Sequence, residues 1–182
     1  MRKVWFRLLC ATWLLAAGTP VRAEVRVVDD SGATISLAQP AKRIISLAPH
    51  LTETLFAAGA GERIVGTVEY SEYPPAASRI ARVGGYSRVD LERVAALRPE
   101  LIIAWQSGNA AAHLDRLRAL RIPIYLSQLN RIEDVASEIE RLGVLAGIPA
   151  VANRAADSFR QRLAALQKRY GSRPPVPTFY QI

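Results

Sequence analysis

The chain has 182 residues, of which 50% are hydrophobic and 22% are charged, and its 24 basic and 16 acidic side chains give a net charge of +8. This composition is typical of a globular protein and excludes an intrinsically disordered one. The length allows one ordinary domain and a little more.

The first residues have the order of a secretory signal peptide. The basic segment MRKV with Arg7 precedes the short apolar run LLCATWLLAAG, and the small residues Val21 and Ala23 close the segment. This order predicts a cleaved signal peptide over 1–23; the alternative is an uncleaved anchor, for which the apolar run is short. Four basic residues and no acidic residue lie there, so cleavage lowers the net charge from +8 to +4. Cleavage also removes Cys10, the single cysteine, and with it any disulfide chemistry.

A hairpin and then an alternating pattern of strands and helices follow. Apolar residues alternate on both sides of the turn sequence DDSG, which predicts a hairpin over 24–42. Over 43–147, the apolar runs RIISLA, RIVGTV, ELIIAW and IPIYLSQ are separated by helical segments of about ten residues, the pattern of parallel strands buried on both faces. The sequence therefore predicts a doubly wound, Rossmann-like α/β lobe of four or five parallel strands, with its ligand crevice beyond their carboxyl ends.

Local signals place the ends of the four helices of this lobe. Gly59 is predicted to end the first helix, and Asp90 to cap the second. Asn109 is a candidate cap for the third helix, and Asn130 with Glu133 has the spacing of a capping box for the fourth. The predicted buried stripe of the fourth helix consists of Ile132, Val135, Ile139 and Leu142.

A longer helix is predicted over 148–172, with Pro149 in its first turn and Gly171 at its end. A helix of about 22 residues is about 33 Å long, more than a crossover between two strands needs. After it, residues 173–182 contain the stiff linker RPPVP and the apolar segment TFYQI, which is predicted to begin a strand. Because this strand would have no partner, we expect the chain to be truncated and a second lobe to follow in the full-length protein.

Catalytic signatures are missing from the sequence. It contains no nucleophile elbow, no phosphate-binding loop and no dinucleotide fingerprint after a strand. His113 lies in a predicted helix without a second ligand at metal spacing, which favours a solvated or half-buried side chain over a ligand. His50, at the end of the first run, can face the crevice, but capping or surface contact is the favoured interpretation, and no pair of carboxylates is placed for acid–base catalysis. Basic residues are scattered among acidic ones, without the basic stripe of a nucleic-acid binder. We therefore expect no enzyme, no nucleic-acid partner, no catalytic residue and no metal site; a small Rossmann-like enzyme is the less favoured alternative.

Aromatic residues gather instead at the predicted crevice. Tyr70 and Tyr73 follow the second apolar run, Tyr86 lies in the loop GGYSR, and Trp105 ends the third run. Such rings bury a large area at little conformational cost, which suits a large and partly apolar ligand. The alternative is that each ring packs against the lobe itself. We favour this alternative for Tyr73, which precedes two prolines, leave it open for Trp105, and favour ligand contact for the loop residues Tyr70 and Tyr86.

The segments RIISLAPHLTETLFAAGAG and RVGGYSRVDLERVAALRPELIIAW resemble the periplasmic solute-binding proteins of ABC importers that carry cobalamin, haem or ferric siderophores. The segments YSEYPP and AWQSGN resemble more specifically the cobalamin-binding branch. The resemblance runs from about Arg43 to Ile182. It implies two α/β lobes joined by one long rigid helix, of which this chain would hold the first lobe, the helix and the first strand of the second lobe. The implied function is capture of cobalamin in the periplasm and its delivery to a membrane permease, by a monomer without a catalytic cofactor.

The resemblance also implies roles for individual residues. The ligand-binding residues would be Tyr70, Tyr86, Trp105, His50 and Gln106. The glutamate of DLERV, Glu92, would dock onto arginines of the permease, although its place in the first turn of a helix is equally explained by the helix dipole. Tyr86 stands where the cobalamin branch often has a tryptophan. Because tyrosine can ligate haem iron, haem or a ferric siderophore is the alternative ligand.

Overall fold

The computed structural model describes residues 24–85 and 88–180. The predicted signal peptide over 1–23, the candidate ligand residue Tyr86 with Ser87, and the last two residues lie outside the described residues. None of the described helices combines the length and the hydropathy that a membrane crossing requires.

An antiparallel hairpin begins the described chain, as predicted. Its strands are β1 (Val25–Val28) and β2 (Thr34–Leu37). Asp29 fixes the turn, because one of its carboxylate oxygens accepts a hydrogen bond from the backbone N–H of Ala33 at 3.0 Å. Gly32 completes the turn at a φ of +85°, which glycine adopts without a steric cost. The second carboxylate oxygen of Asp29 accepts from the N–H of Leu126 at 3.1 Å and ties the hairpin to the main sheet.

Four parallel strands form the main sheet, in the order β4-β3-β5-β6. They are β3 (Ile44–Ser46), β4 (Ile64–Gly66), β5 (Leu101–Trp105) and β6 (Ile124–Ser127). The chain runs outward from β3 to β4 and then returns to the other side of β3 to form β5. The topological switch point, where ligands bind in such sheets, therefore lies between β3 and β5.

Helices cover both faces of this sheet. They are α1 (Pro49–Ala57), α2 (Leu91–Ala96), α3 (Ala111–Ala119), α4 (Asp134–Leu145) and α5 (Pro149–Tyr170), with single 3₁₀ turns at Gly61–Arg63 and Pro75–Arg79. Successive strand side chains point to opposite faces. Ile44 and Ile103 therefore pack in one core with α1, α4 and α5, whereas Ile45 and Ile102 pack in a second core with α2 and α3. These two cores confirm the predicted doubly wound α/β lobe.

The helix ends that depend on local signals agree only in part with the sequence. Gly59 follows α1 at a φ of +85°, as predicted. Asp90 caps α2, because its carboxylate accepts from the N–H of Arg93 at 3.0 Å. Asn109 does not cap a helix: α3 begins only at Ala111, and the side chain of Asn109 binds the ends of two strands.

The predicted capping box of α4 is also wrong. The helix begins at Asp134, and the carboxylate of Asp134 accepts from the N–H groups of Asn130 and Arg131 at 3.2 and 2.9 Å. These contacts fix the preceding turn without side-chain capping by Asn130 or Glu133. Ile132, predicted to belong to the buried stripe, precedes the helix and is 57% exposed. The other three members of the stripe pack toward the core.

A buried polar cluster links the hairpin, β6 and α4. The carboxylate of Glu138, which is fully buried, accepts from the hydroxyl of Tyr125 at 2.6 Å and from Arg141 at 2.7 Å. Arg141 also pairs with Asp30 at 2.7 Å. Burial and then the charge of Glu138 raise the pKa of the Tyr125 hydroxyl above its ordinary range. The hydroxyl therefore stays protonated and serves as a donor to the carboxylate.

The long helix α5 extends over 22 residues, as predicted. Its first half packs on α4 through the buried residues Ala152 and Ala156. Gly143 permits this close packing, because a Cβ at that position would overlap the side chain of Ala152. Farther along the helix, Leu166 and Tyr170 are exposed.

The segment after α5 has no regular secondary structure over residues 173–180. The strand predicted to begin at TFYQI therefore does not form within residues 178–180. A strand needs a neighbouring strand for its backbone hydrogen bonds, and no strand of the described chain pairs with this segment.

Candidate functional site

A small crevice lies among the carboxyl ends of β3, β4 and β5, at the topological switch point. Its volume is about 100 Å³. The lining residues are Leu47, Ala48, Pro49, Val68, Glu69, Tyr70, Trp105 and Asn109. Two of the predicted ligand residues, Tyr70 and Trp105, therefore meet at one place, although they are 35 positions apart in the sequence.

Asn109 ties the ends of β3 and β5 together at the floor of this crevice. Its side-chain oxygen accepts from the N–H of Trp105 at 2.7 Å, and its side-chain nitrogen donates to the carbonyl of Leu47 at 3.1 Å. The N–H of Asn109 also donates to the carbonyl of Trp105 at 2.9 Å and closes the turn after β5. Sequence reasoning missed this role, because a polar residue before a helix is typical of a cap.

The indole ring of Trp105 is held between two neighbours. Gly108 lies directly beneath it, since a Cβ at Gly108 would overlap the ring. The imidazole of His50 stands edge to face against the indole, with ring centroids 5.1 Å apart and an interplanar angle of 87°. The ring of Trp105 therefore packs against the lobe and also forms one side of the crevice. Its contact with a ligand stays a prediction.

His50, half-buried in the first turn of α1, contacts Trp105 and is absent from the lining of the crevice. Burial lowers the pKa of its imidazole below the ordinary value, because a buried cation loses hydration. The neutral form predominates at pH 7. His50 packs against the ring of Trp105. Its predicted contact with the ligand stays a prediction.

Tyr70 projects from a turn that follows β4. The N–H of Ser71 donates to the carbonyl of Val68 at 3.3 Å and closes the turn, and Tyr70 adopts a φ of +64° within it. Residues with a Cβ rarely adopt this left-handed conformation, which is found disproportionately at functional sites. The ring is 78% exposed and stands at the rim of the crevice. The backbone therefore directs a large aromatic side chain into solvent.

Arg82 holds this turn in place. Its guanidinium donates to the carbonyls of Ser71 at 2.9 Å and Ala77 at 3.2 Å. The backbone around it pairs with the segment after β4: the N–H of Thr67 donates to Ala81, and the N–H of Val83 donates to Thr67. No motif marks Arg82 in the sequence, because both of its carbonyl partners are set by the folded loop.

A buried trio of hydroxyls supports the crevice from below. The hydroxyl of Thr52, in α1, donates to that of Ser46 at 3.0 Å and lies 2.8 Å from that of Thr67. All three residues are fully buried. They connect the ends of β3 and β4 with α1, and so fix the relative positions of the strands that surround the crevice.

Two predictions for neighbouring residues fare differently. Tyr73 was predicted to pack against the lobe, but its side chain is 67% exposed, so this prediction is wrong. Gln106 is exposed and does not line the crevice; its N–H continues the sheet by donating to Ser127 at 2.9 Å. A ligand contact by Gln106 stays a prediction.

Glu92 lies away from the crevice, on an adjoining surface. It is exposed in the first turn of α2 and lines a shallow cavity of about 560 Å³ beside it. Glu69 lines both this cavity and the crevice, so the two adjoin. His113, predicted to be solvated or half-buried rather than a ligand, lines the same cavity and is half-buried.

A larger cavity, of about 790 Å³, lies at the opposite end of the sheet. Its lining includes Arg26, Lys42, Arg63 and Pro149, from the beginnings of strands and of α5. We place the candidate site at the smaller crevice, because ligands of open α/β sheets bind beyond the carboxyl ends of the strands.

In residues 24–85 and 88–180, no three His, Cys, Asp or Glu side chains stand close enough to hold a metal ion. The arrangement of an apolar floor and aromatic walls is suited to binding.

Residues 44–182 match a protein family described as periplasmic binding protein. The vitamin B12-binding protein of Vibrio cholerae serotype O1 is 45% identical over 143 residues, which cover 79% of this chain and 52% of that protein. The chain thus spans about half the length of the curated relatives it matches.

Solved structures give the same comparison in three dimensions. A crystal structure of the periplasmic vitamin B12 binding protein of Vibrio cholerae has a TM-score of 0.72 and 44% identity, over 75% of this chain and 54% of that chain. A periplasmic heme binding protein from Pseudomonas aeruginosa has a TM-score of 0.62 and 28% identity, over 71% of this chain and 50% of that chain.

Proposed function

The chain belongs to the periplasmic binding protein family, and from this premise we propose that it captures cobalamin, or another corrinoid, at the crevice between β3 and β5. One observation carries the proposal: the exposed ring of Tyr70 and the fixed ring of Trp105 flank an apolar floor at the switch point of the sheet. Flat aromatic surfaces of this kind suit a macrocycle with apolar faces and polar edges. The identity to vitamin B12-binding relatives supports this ligand class.

The dimensions of the crevice define how the ligand would lie. Sites that enclose a ligand of drug size have volumes of roughly 300–1,000 Å³, whereas this crevice measures about 100 Å³. A corrinoid would therefore lie across the crevice and not within it, in contact with one wall. We propose that the opposite wall belongs to a second lobe joined through α5, because the curated relatives are about twice as long as the segment that matches this chain. A helix of 22 residues is a stiff connection, so we propose that the lobes move little when they close.

Delivery to the membrane is the second part of the proposed function. Glu92 is exposed on α2, beside the crevice but outside its lining, so it can contact a partner while a ligand is bound. We assign it the docking contact with basic residues of an ABC permease. Reversal of its charge in E92R should abolish uptake in cells and leave ligand binding unchanged. Loss of ligand binding in E92R would contradict a role confined to docking.

Haem is the alternative ligand, and one observation favours it. The phenol of Tyr70 is exposed at the rim of the crevice, where it is accessible to an iron atom. Against haem stands the lower identity to the haem-binding structure, 28% compared with 44% for the B12-binding structure.

Fluorescence of Trp105 tests the two ligands, because Trp105 is the only tryptophan of residues 24–182. Titration of the cleaved chain with cyanocobalamin should quench this fluorescence saturably, and free N-acetyltryptophanamide corrects for absorption by the ligand. Because this chain forms only one wall of the proposed site, we expect a Kd for cyanocobalamin of about 1 μM or weaker. Y70A should weaken binding about tenfold, since about 1.4 kcal/mol of aromatic contact is lost. Y180A, which removes a tyrosine of similar exposure that does not line the crevice, should bind as the unmodified chain does.

The same protein is titrated with haemin in parallel. A Soret band that appears with haemin, together with no saturable quenching by cyanocobalamin, would replace the proposed ligand by haem. Absence of binding to either ligand at millimolar concentration would contradict the proposed function. Sub-micromolar binding of cyanocobalamin by this chain would contradict the single-wall geometry.

A further inference from the structure

The hydrogen-bond ladder between β3 and β5 changes at the crevice. The N–H of Leu47 donates to the carbonyl of Ile103 at 2.9 Å, which continues the regular parallel pairing. The next bond of a parallel ladder would join the N–H of Trp105 directly to the carbonyl of Leu47. The side-chain amide of Asn109 stands between these two groups, accepting from Trp105 at 2.7 Å and donating to Leu47 at 3.1 Å.

The chemistry of a primary amide explains how this insertion is possible. An amide presents one acceptor and one donor on a single planar group, so it satisfies both strands at once. A carboxylate accepts but does not donate, and alanine would leave the N–H and the carbonyl without partners. The turn that the N–H of Asn109 closes onto the carbonyl of Trp105, at 2.9 Å, brings the side chain back between the strands.

The same turn determines the position of the indole ring. Gly108, the residue before Asn109, lets the ring of Trp105 lie directly on the backbone, and His50 supports the ring edge to face. Asn109 thus fixes the backbone of Trp105 on one side of the ladder, while Gly108 and His50 fix its ring.

We propose that Asn109 is the positioning residue of the crevice: its amide is inserted as a spacer between the ends of β3 and β5, and so opens the sheet at the switch point and fixes Trp105. The placement of Trp105 does not depend on the identity of the ligand. The effect on corrinoid affinity rests on the proposed function.

N109D tests the spacer, because it removes the donor and changes the size of the side chain very little. At neutral pH the introduced carboxylate faces the carbonyl of Leu47, which repels it. The emission maximum of Trp105 should shift to the red, its near-UV circular dichroism should decrease, and cyanocobalamin should bind about tenfold more weakly. N153D, the same substitution on the exposed face of α5, is the matched control and should change none of these signals.

A pH titration of N109D gives a signature that a purely structural role would not give. Partial burial and the carbonyl of Leu47 raise the pKa of the introduced carboxyl, whereas the N–H of Trp105 lowers it by donating to the charged form. His50, against Trp105, and Glu69, in the lining, are the other ionisable side chains at the crevice. The perturbation is therefore present above that pKa and disappears as the pH falls through it, when the protonated group regains an O–H donor to Leu47. G108A is the companion variant: its Cβ displaces the ring directly, so it should alter the Trp105 signals without this recovery at low pH.

Each outcome decides a separate point. If N109D has the signals of the unmodified chain at neutral pH, or a change that does not reverse at low pH, the positioning role is wrong. If the Trp105 signals respond as expected but cyanocobalamin affinity is unchanged, the positioning role stands and the proposed ligand site fails. If N109D does not fold, amide exchange in the unmodified chain decides: the N–H of Trp105 must be protected, and rapid exchange would overturn the proposal.

Discussion

Two aromatic residues flank the crevice, and they are held in opposite ways. Trp105 ends a central strand, lies on Gly108, contacts His50, and has its backbone bound by Asn109. Tyr70 has a ring that is 78% exposed, and its direction is set by the backbone of a turn at a φ of +64°. One ring is positioned by tertiary neighbours and the other by local conformation.

This difference separates two tasks of a binding surface. A ring held by neighbours offers a rigid platform whose position is fixed before the ligand arrives, which reduces the entropy lost on binding. A ring on an exposed turn offers contact area at the rim and can adjust to the ligand. We expect substitutions around Trp105 to change stability and substitutions at Tyr70 to change chiefly affinity.

The largest effect is expected where both regions share one support. Thr52 binds Ser46, which precedes the lining residue Leu47, and Thr67, which precedes the lining residue Val68 and the Tyr70 turn. T52V removes this hydroxyl and leaves a buried partner unsatisfied, which should lower the free energy of unfolding by about 2 kcal/mol. Urea denaturation measures the change. T34V, the same substitution at an exposed strand position, is the control and should stay within about 0.5 kcal/mol; equal effects in the two variants would contradict a shared buried support.

A smaller effect is expected from the backbone of Tyr70. Y70A and Y70G both remove the ring, but only glycine adopts the left-handed conformation without a steric cost. Y70G should therefore be more stable than Y70A by about 0.5–1 kcal/mol, after allowance for the greater freedom of glycine in the unfolded chain. Thermal or urea unfolding of the pair isolates the backbone from the ring. Equal stabilities of Y70A and Y70G would show that the left-handed conformation of residue 70 carries no steric cost.

The smallest expected effect is a pH dependence of stability that comes from His50, the residue packed against Trp105. Burial lowers the pKa of His50, so the folded chain binds fewer protons at this site than the unfolded chain does. The stability contributed by neutral His50 is present above the ordinary imidazole pKa of about 6.5 and is lost as the pH falls through the lowered pKa. Melting temperatures measured from pH 8 to pH 5 should fall less in H50Q than in the unmodified chain. A steeper fall in H50Q would contradict this sign.

Sequence patterns by themselves determined the architecture of this lobe. Continuous apolar runs between short helical segments predicted a doubly wound parallel sheet, and Gly59, Asp90 and Pro149 marked helix ends correctly. These features are legible because they depend on residues a few positions apart, through backbone conformation and the periodicity of burial. The gathering of Tyr70 and Trp105 followed from one further rule, that the carboxyl ends of parallel strands share an edge.

Only the tertiary structure decided how that edge is built. Asn109 has the sequence environment of a helix cap, yet it binds Leu47, 62 positions earlier in the chain. Likewise Arg82 donates to the carbonyls of Ser71 and Ala77, which come within its reach only in the folded loop. Tyr73, beside two prolines, is exposed instead of packed against the lobe. An amide or a guanidinium binds whichever backbone groups the fold leaves unpaired nearby. Their roles are therefore set by distances between remote segments, which no local pattern records.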